Sequence, residues 1–191
     1  MPETDDLANV EIDTTRMIGW VPPKSEHVLY DTPVMGHLGM KPEIVVPEPT
    51  DERIWVEIEP NVWFRPLFFD MNTGGHGEVL RVRKGGVLSR HRHPSPVHGV
   101  VLKGRWHYLE HSWVAETGSY VFEPPGEVHT LTVTDDCDEM QTAFFILGPV
   151  LYTDDNENVV HVEDNVGLIE HCKKAYKLNG LGEDFVDQFI R

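Results

Sequence analysis

Between Ile54 and Val162 apolar and polar residues alternate in short runs, the two-residue period of half-buried strands. The runs predict strands at Ile54–Ile58, Val62–Asp70, Glu78–Arg83, Val97–Lys103, Arg105–Glu110, Ser119–Phe122, Thr130–Thr134, Gln141–Leu147, Val150–Thr153 and Val159–Val162. Gly74-Gly75, Gly85-Gly86, Lys103-Gly104, Thr117-Gly118, Pro124–Gly126 and Asp154–Asn158 mark the bends between them. Many short strands at this spacing predict an all-β antiparallel sandwich or barrel.

The pattern is different at both ends. Residues 1–50 hold Pro2, Pro22, Pro23, Pro33, Pro42, Pro47 and Pro49 and show little strand or helix period, so they are expected to form an irregular N-terminal arm. Residues 164–191 are expected to form helices that extend the same domain. Asp164 or Asn165 caps a helix whose apolar positions are Val166, Ile169, Cys172 and Tyr176, and Asn179-Gly180 stops it. A second short helix is predicted over 183–190. The barrel itself is assigned to residues 51–163.

Composition narrows the partners. Sixteen basic against 32 acidic residues give a net charge of -16, which repels phosphate backbones and anionic membrane surfaces, so neither nucleic acid nor membrane is expected. Two cysteines, Cys137 and Cys172, are too few for a disulfide framework. The start lacks a basic region followed by an apolar run, and a cytoplasmic location is expected. Unpaired strand edges and the long arm favour a homo-oligomer, a dimer or tetramer.

Three histidines carry the candidate chemistry. His91 and His93 are two residues apart, so a strand projects them from one face while Arg90 and Arg92 point away. His129 follows a Pro-Pro-Gly turn and can arrive from another strand to complete a three-nitrogen site for a first-row metal. Spacing alone admits Fe, Zn, Ni, Mn or Co.

The segments Gly85-x5-His91-x-His93 with Gly104, and Gly118-x5-Pro124-x-Gly126-x2-His129, resemble the two motifs of the cupin family. The resemblance implies a double-stranded β-helix (jelly-roll) barrel with the metal inside. Where the family usually carries a metal-binding glutamate in the first motif, this chain has Val97 or His98. A three-histidine site without that glutamate resembles the acetylacetone dioxygenase and 2,4'-dihydroxyacetophenone dioxygenase group. Tyr108–His111, Phe122–Gly126 and Phe144–Pro149 extend the likeness. What it implies is a mononuclear Fe(II) enzyme that uses O2 to cleave a carbon–carbon bond beside a carbonyl in a small-molecule substrate. The alternatives are a cupin hydrolase, isomerase or decarboxylase using a redox-silent metal, and a non-catalytic metal or small-molecule sensor.

Several accessory roles follow from this resemblance. Glu123, six positions before His129 as in the acetylacetone-cleaving members, is expected to orient a ligand histidine or to take the substrate's acidic proton; a structural hydrogen bond is the plainer alternative. Tyr108 could aim its phenol at a bound carbonyl, or simply pack. His98 could be a distant fourth ligand, a substrate contact or a barrel histidine. His107 and His111 are expected at the surface, and His76 in a turn.

Overall fold

In the computed structural model, Lys41 and residues 43–191 are described, and Glu43–Arg191 forms one compact unit. The expected arm over residues 1–50 lies almost wholly outside the described residues. Twelve strands follow: β1 (Val56–Glu59), β2 (Val62–Phe69), β3 (His76–Arg83), β4 (Val87–Arg92), β5 (Val97–Lys103), β6 (Arg105–Tyr108), β7 (Ala115–Glu116), β8 (Tyr120–Glu123), β9 (Val128–Val133), β10 (Glu139–Ile146), β11 (Val150–Thr153) and β12 (Val159–Glu163). They form two six-stranded sheets, ordered β1-β2-β3-β10-β5-β8 and β12-β11-β4-β9-β6-β7. Neighbouring strands within each sheet pair antiparallel. This is the all-β jelly-roll architecture expected from the alternation.

The inward positions build the core. Val62, Leu80, Val82, Trp106, Leu131 and Met140 meet between the sheets and are almost completely removed from water. Burial of such side chains is the main favourable term in folding. A second cluster joins Val56, Phe64 and Phe69 to Leu168, Cys172 and Tyr176 of helix α1 (Asn165–Leu178), and to Val186 and Phe189 of a 3-10 helix, Glu183–Phe189. The Asp164 side chain accepts from the Gly167 N–H and so caps α1, whose last turn gives way to Gly180 at φ 78°. Leu168 takes the buried place expected of Val166, which lies in the first helical turn and faces solvent.

Two strands escape the apolar pattern. β4 has the sequence VLSRHR, and its buried position nearest the site is filled by His91 rather than a hydrophobe, so a search for alternating apolar residues passes over it. β7 is only two residues long. A third difference concerns β3, which begins at His76 instead of Glu78. His76 is therefore a buried strand residue and not the turn residue expected, because the turn ends with Gly75, whose carbonyl accepts from the Asp70 N–H.

Candidate metal centre

Register brings the three histidines together. His91 on β4 stands directly opposite His129 on β9, and His93 follows the end of β4. One ring nitrogen from each lies within 4.8 Å of the others, and all three side chains are buried. The carbonyl oxygen of Ser89, 2.7 Å from His91 Nδ1, can only accept, so Nδ1 carries the proton and Nε2 keeps its lone pair. Neither His93 Nδ1 nor either nitrogen of His129 has a hydrogen-bond partner among the described residues.

Electrostatics keep these rings neutral. Burial depresses the His91 pKa to about 4, against a partial pull upward from the Ser89 carbonyl. It lowers His93 to about 3 and His129 to about 2, with the neighbouring imidazoles adding to the effect. Buried nitrogens without partners are costly unless something binds their lone pairs. Three unprotonated imidazoles in mutual reach fit a divalent first-row metal.

A carboxyl group stands beside the trio. β5 and β8 pair with Val97 directly opposite Glu123, so Glu123 enters the interior from the strand next to the position where the first-motif glutamate is absent. Its Oε2 lies 3.5 Å from His93 Nε2 and 3.6 Å from His129 Nε2. Its Oε1 accepts from the Tyr108 hydroxyl at 2.5 Å. Burial raises the Glu123 pKa to about 7, with the Tyr108 hydrogen bond pulling the other way. The Tyr108 ring stacks on His129 with centroids 4.0 Å apart and planes 6° from parallel. Its hydroxyl is thus engaged by Glu123, and its ring supports a candidate ligand.

His98 is not brought to this group. Strand alternation turns Val97 inward and His98 outward, where its Nδ1 lies 2.8 Å from the Tyr120 hydroxyl and its ring lies near Phe122. His111 pairs with Glu127 at 2.9 Å and stacks on Trp113, and His107 Nδ1 meets the Tyr108 carbonyl.

His91 and His93 line a partly open cavity walled by Leu80, Leu88, Val97, Leu131, Phe144 and Ile146 among others. His76, Glu78, Tyr152 and Glu163 also line it and were missed from sequence. A usable signal was present. Counting back by twos from the core residues Val82 and Leu80 points Glu78 and His76 into the same interior. Burial raises Glu78 to about 8 and lowers His76 to about 4.

Residues 44–151, more than half of the chain, match the protein family described as the ChrR cupin-like domain. The chain belongs to that family. An RmlC-like cupin protein from Ralstonia eutropha JMP134 is 27% identical, with a TM-score of 0.61 over 66% of this chain and 83% of that one. An acetylacetone dioxygenase from Acinetobacter johnsonii is 18% identical, with a TM-score of 0.60 over 73% of this cupin and 95% of that chain. A second Ralstonia eutropha JMP134 protein, of unknown function and with a cupin-like fold, is 21% identical at a TM-score of 0.59, over 63% of this chain and 75% of that one. The latter two likenesses concern the fold. No curated protein matches the sequence. Among the described residues no helix is long and apolar enough to cross a membrane.

Proposed function

We propose that this cupin is an Fe(II)-dependent dioxygenase that cleaves a carbon–carbon bond beside a carbonyl in a small β-diketone or hydroxyacetophenone-like compound. The observation that carries the proposal is the donor set: three neutral imidazoles in mutual reach, with the Glu123 carboxyl beside two of them rather than one of the group. Neutral ligands leave a bound dication its full charge, which favours a deprotonated, two-oxygen substrate. Iron held there would supply the attachment for both oxygens and the reaction with O2.

The chain's own groups then have defined tasks. Glu123 Oε2 faces the space beside His93 and His129, and a carboxyl with a pKa of about 7 can take a proton from the acidic carbon between two carbonyls near neutral pH. Tyr108 holds the other oxygen and so sets the direction in which Glu123 presents its base. Ser89 holds His91 in one tautomer. Leu88, Val97, Leu131 and Phe144 keep the cavity apolar, which strengthens each polar interaction inside it. The fold shared with the Acinetobacter johnsonii acetylacetone dioxygenase supports the same reaction class.

The closeness of Glu123 to two of the histidines favours one alternative. A carboxylate closing the coordination sphere would offset the metal charge and suit Lewis-acid chemistry by a redox-silent metal, as in a cupin hydrolase, isomerase or decarboxylase. Metal-free protein reconstituted anaerobically with Fe(II) and then given O2 with β-diketones or hydroxyacetophenones separates the two. O2 uptake that requires both Fe(II) and substrate is expected. Equal turnover with Zn(II) and no O2 would overturn the dioxygenase assignment, and neither binding nor turnover would leave a sensor role. His129→Ala is expected to lose stoichiometric metal, measured by elemental analysis, while its circular dichroism stays β-rich.

A further inference from the structure

The cavity contains a second polar group that the metal centre does not use. His76 and Glu78 project from β3 two residues apart, and Tyr152 of β11 and Glu163 of β12 line the same space. The His76 side chain is only 1% exposed; the Asn165 side chain is near enough to favour its protonated form, but neither ring nitrogen meets a partner in good hydrogen-bond geometry among the described residues. Glu78 Oε2 is 4.0 Å from Nε2, too far for a hydrogen bond. Glu78 is itself only 12% exposed, and burial together with the nearby Glu163 is what disturbs it, with no hydrogen bond offsetting either. Only Glu163 has a donor, the Tyr152 hydroxyl at 3.2 Å.

Two features define what this group can bind. Among the described lining residues there is no lysine or arginine, so the two carboxyl groups have no cation to face and an anionic tail would find no counter-charge. Acceptor positions also outnumber donors: even with Glu78 protonated, as burial favours, the two carboxyl groups and the imidazole lone pair offer more lone pairs than one phenol, one imidazole N–H and one carboxyl O–H can fill. An apolar tail placed here would leave the polar atoms of His76 and Glu78 with no hydrogen-bond partner, which is costly. A donor would satisfy them.

We propose that His76 and Glu78, backed by Glu163 and Tyr152, form a recognition subsite for a hydrogen-bond-donating end group, a hydroxyl or an ammonium, on the small carbonyl compound bound at the three histidines. This rests on the function proposed above and adds to it the chemistry of the substrate's far end. His76 and Glu78 are substrate-positioning residues here, separate from the groups that touch the reacting carbons.

The test is binding by the full chain, loaded with Fe(II) and kept anaerobic so that nothing turns over. Three β-diketones of equal chain length serve as probes, their far ends a methyl, a hydroxymethyl or a dimethylammoniomethyl group, with dissociation constants read by calorimetry. At least one donor-bearing probe is expected to bind about tenfold tighter than the methyl probe, the size of one well-placed buried hydrogen bond. The advantage should shrink to within about twofold in Glu78→Leu and in His76→Phe. Glu78→Gln separates the two end groups, since its amide oxygen still accepts from a hydroxyl but no longer offers charge to an ammonium. Thermal unfolding of each variant confirms that it folds, and Glu78→Gln, nearly the same shape, provides the comparison should Glu78→Leu fail to fold.

Equal affinity for all three probes in the unsubstituted protein would overturn the subsite, as would an advantage that survives both Glu78→Leu and His76→Phe. The metal assignment fails separately, when the methyl probe binds equally well with and without Fe(II). Because the end-group preference is also measured on iron-free protein, it stands or falls by its own comparison.

Discussion

Tyr108 joins two halves of the centre, its ring flat against His129 and its hydroxyl on Glu123. That hydrogen bond lowers the Glu123 pKa against the stronger upward push of burial. Tyr108→Phe keeps the stacked ring and removes the donor, so the Glu123 carboxyl should hold its proton to higher pH. If Glu123 is the base, the rising limb of the pH–rate profile should move to higher pH in the variant; an unmoved limb would assign the base elsewhere. Glu78 yields a prediction for stability. Its pKa is raised from 4.5 to about 8, so between those values the folded protein retains a proton that the unfolded chain has released, and stability falls as pH rises through the window. Glutamine carries no such proton. Metal-free Glu78→Gln should therefore match the unsubstituted protein in melting temperature near pH 4 and exceed it near pH 9. His76 acts in the opposite sense: with its pKa lowered to about 4, it stays neutral in the fold while the unfolded chain protonates below 6.5, so stability falls as pH drops through that range.

Strands decide which of these side chains meet. β4 delivers His91 because β9 runs beside it in a register that opposes His91 to His129, and a one-residue slip would turn one ring to the outer face. β8 delivers Glu123 through its pairing with Val97. The turn between β5 and β6 has to be tight to hold this geometry. Gly104 there has φ 79°, and a Cβ would collide with the Glu139 carbonyl oxygen, so a larger residue meets both an unfavourable backbone conformation and a steric block. Gly104→Ala should destabilise the protein by about 2 kcal/mol or more, measured by denaturant unfolding. The glycine that is part of a sequence motif is in this case a requirement of the backbone, with no contact to the metal centre.

Among the described residues, Glu43–Arg191 contains the hydrophobic clusters, the three histidines and the cavity. A chain starting at residue 43 is accordingly expected to unfold in one cooperative transition and to bind one metal, checked by calorimetry and elemental analysis. Much of this could be read from the chain itself. Strand and helix periods are local, and so are the spacing of His91 and His93, the Pro-Pro-Gly turn before His129 and the Asp164 cap; each is set by neighbours in sequence, and each appears in the fold. β4 was hidden for a local reason, since a strand whose key buried position is a histidine has little apolar rhythm to show. The neighbours of each ligand were decided elsewhere. That Glu123 stands across from Val97, that Tyr108 lies on His129, that His98 turns outward, and that His76 and Glu78 share a cavity with Tyr152 and Glu163 all depend on the pairing of strands far apart in sequence and on how closely the two sheets approach. Spacing along a chain determines which way a side chain points from its own strand; what it meets there is set by register and packing between strands, and these exist only once the chain has folded.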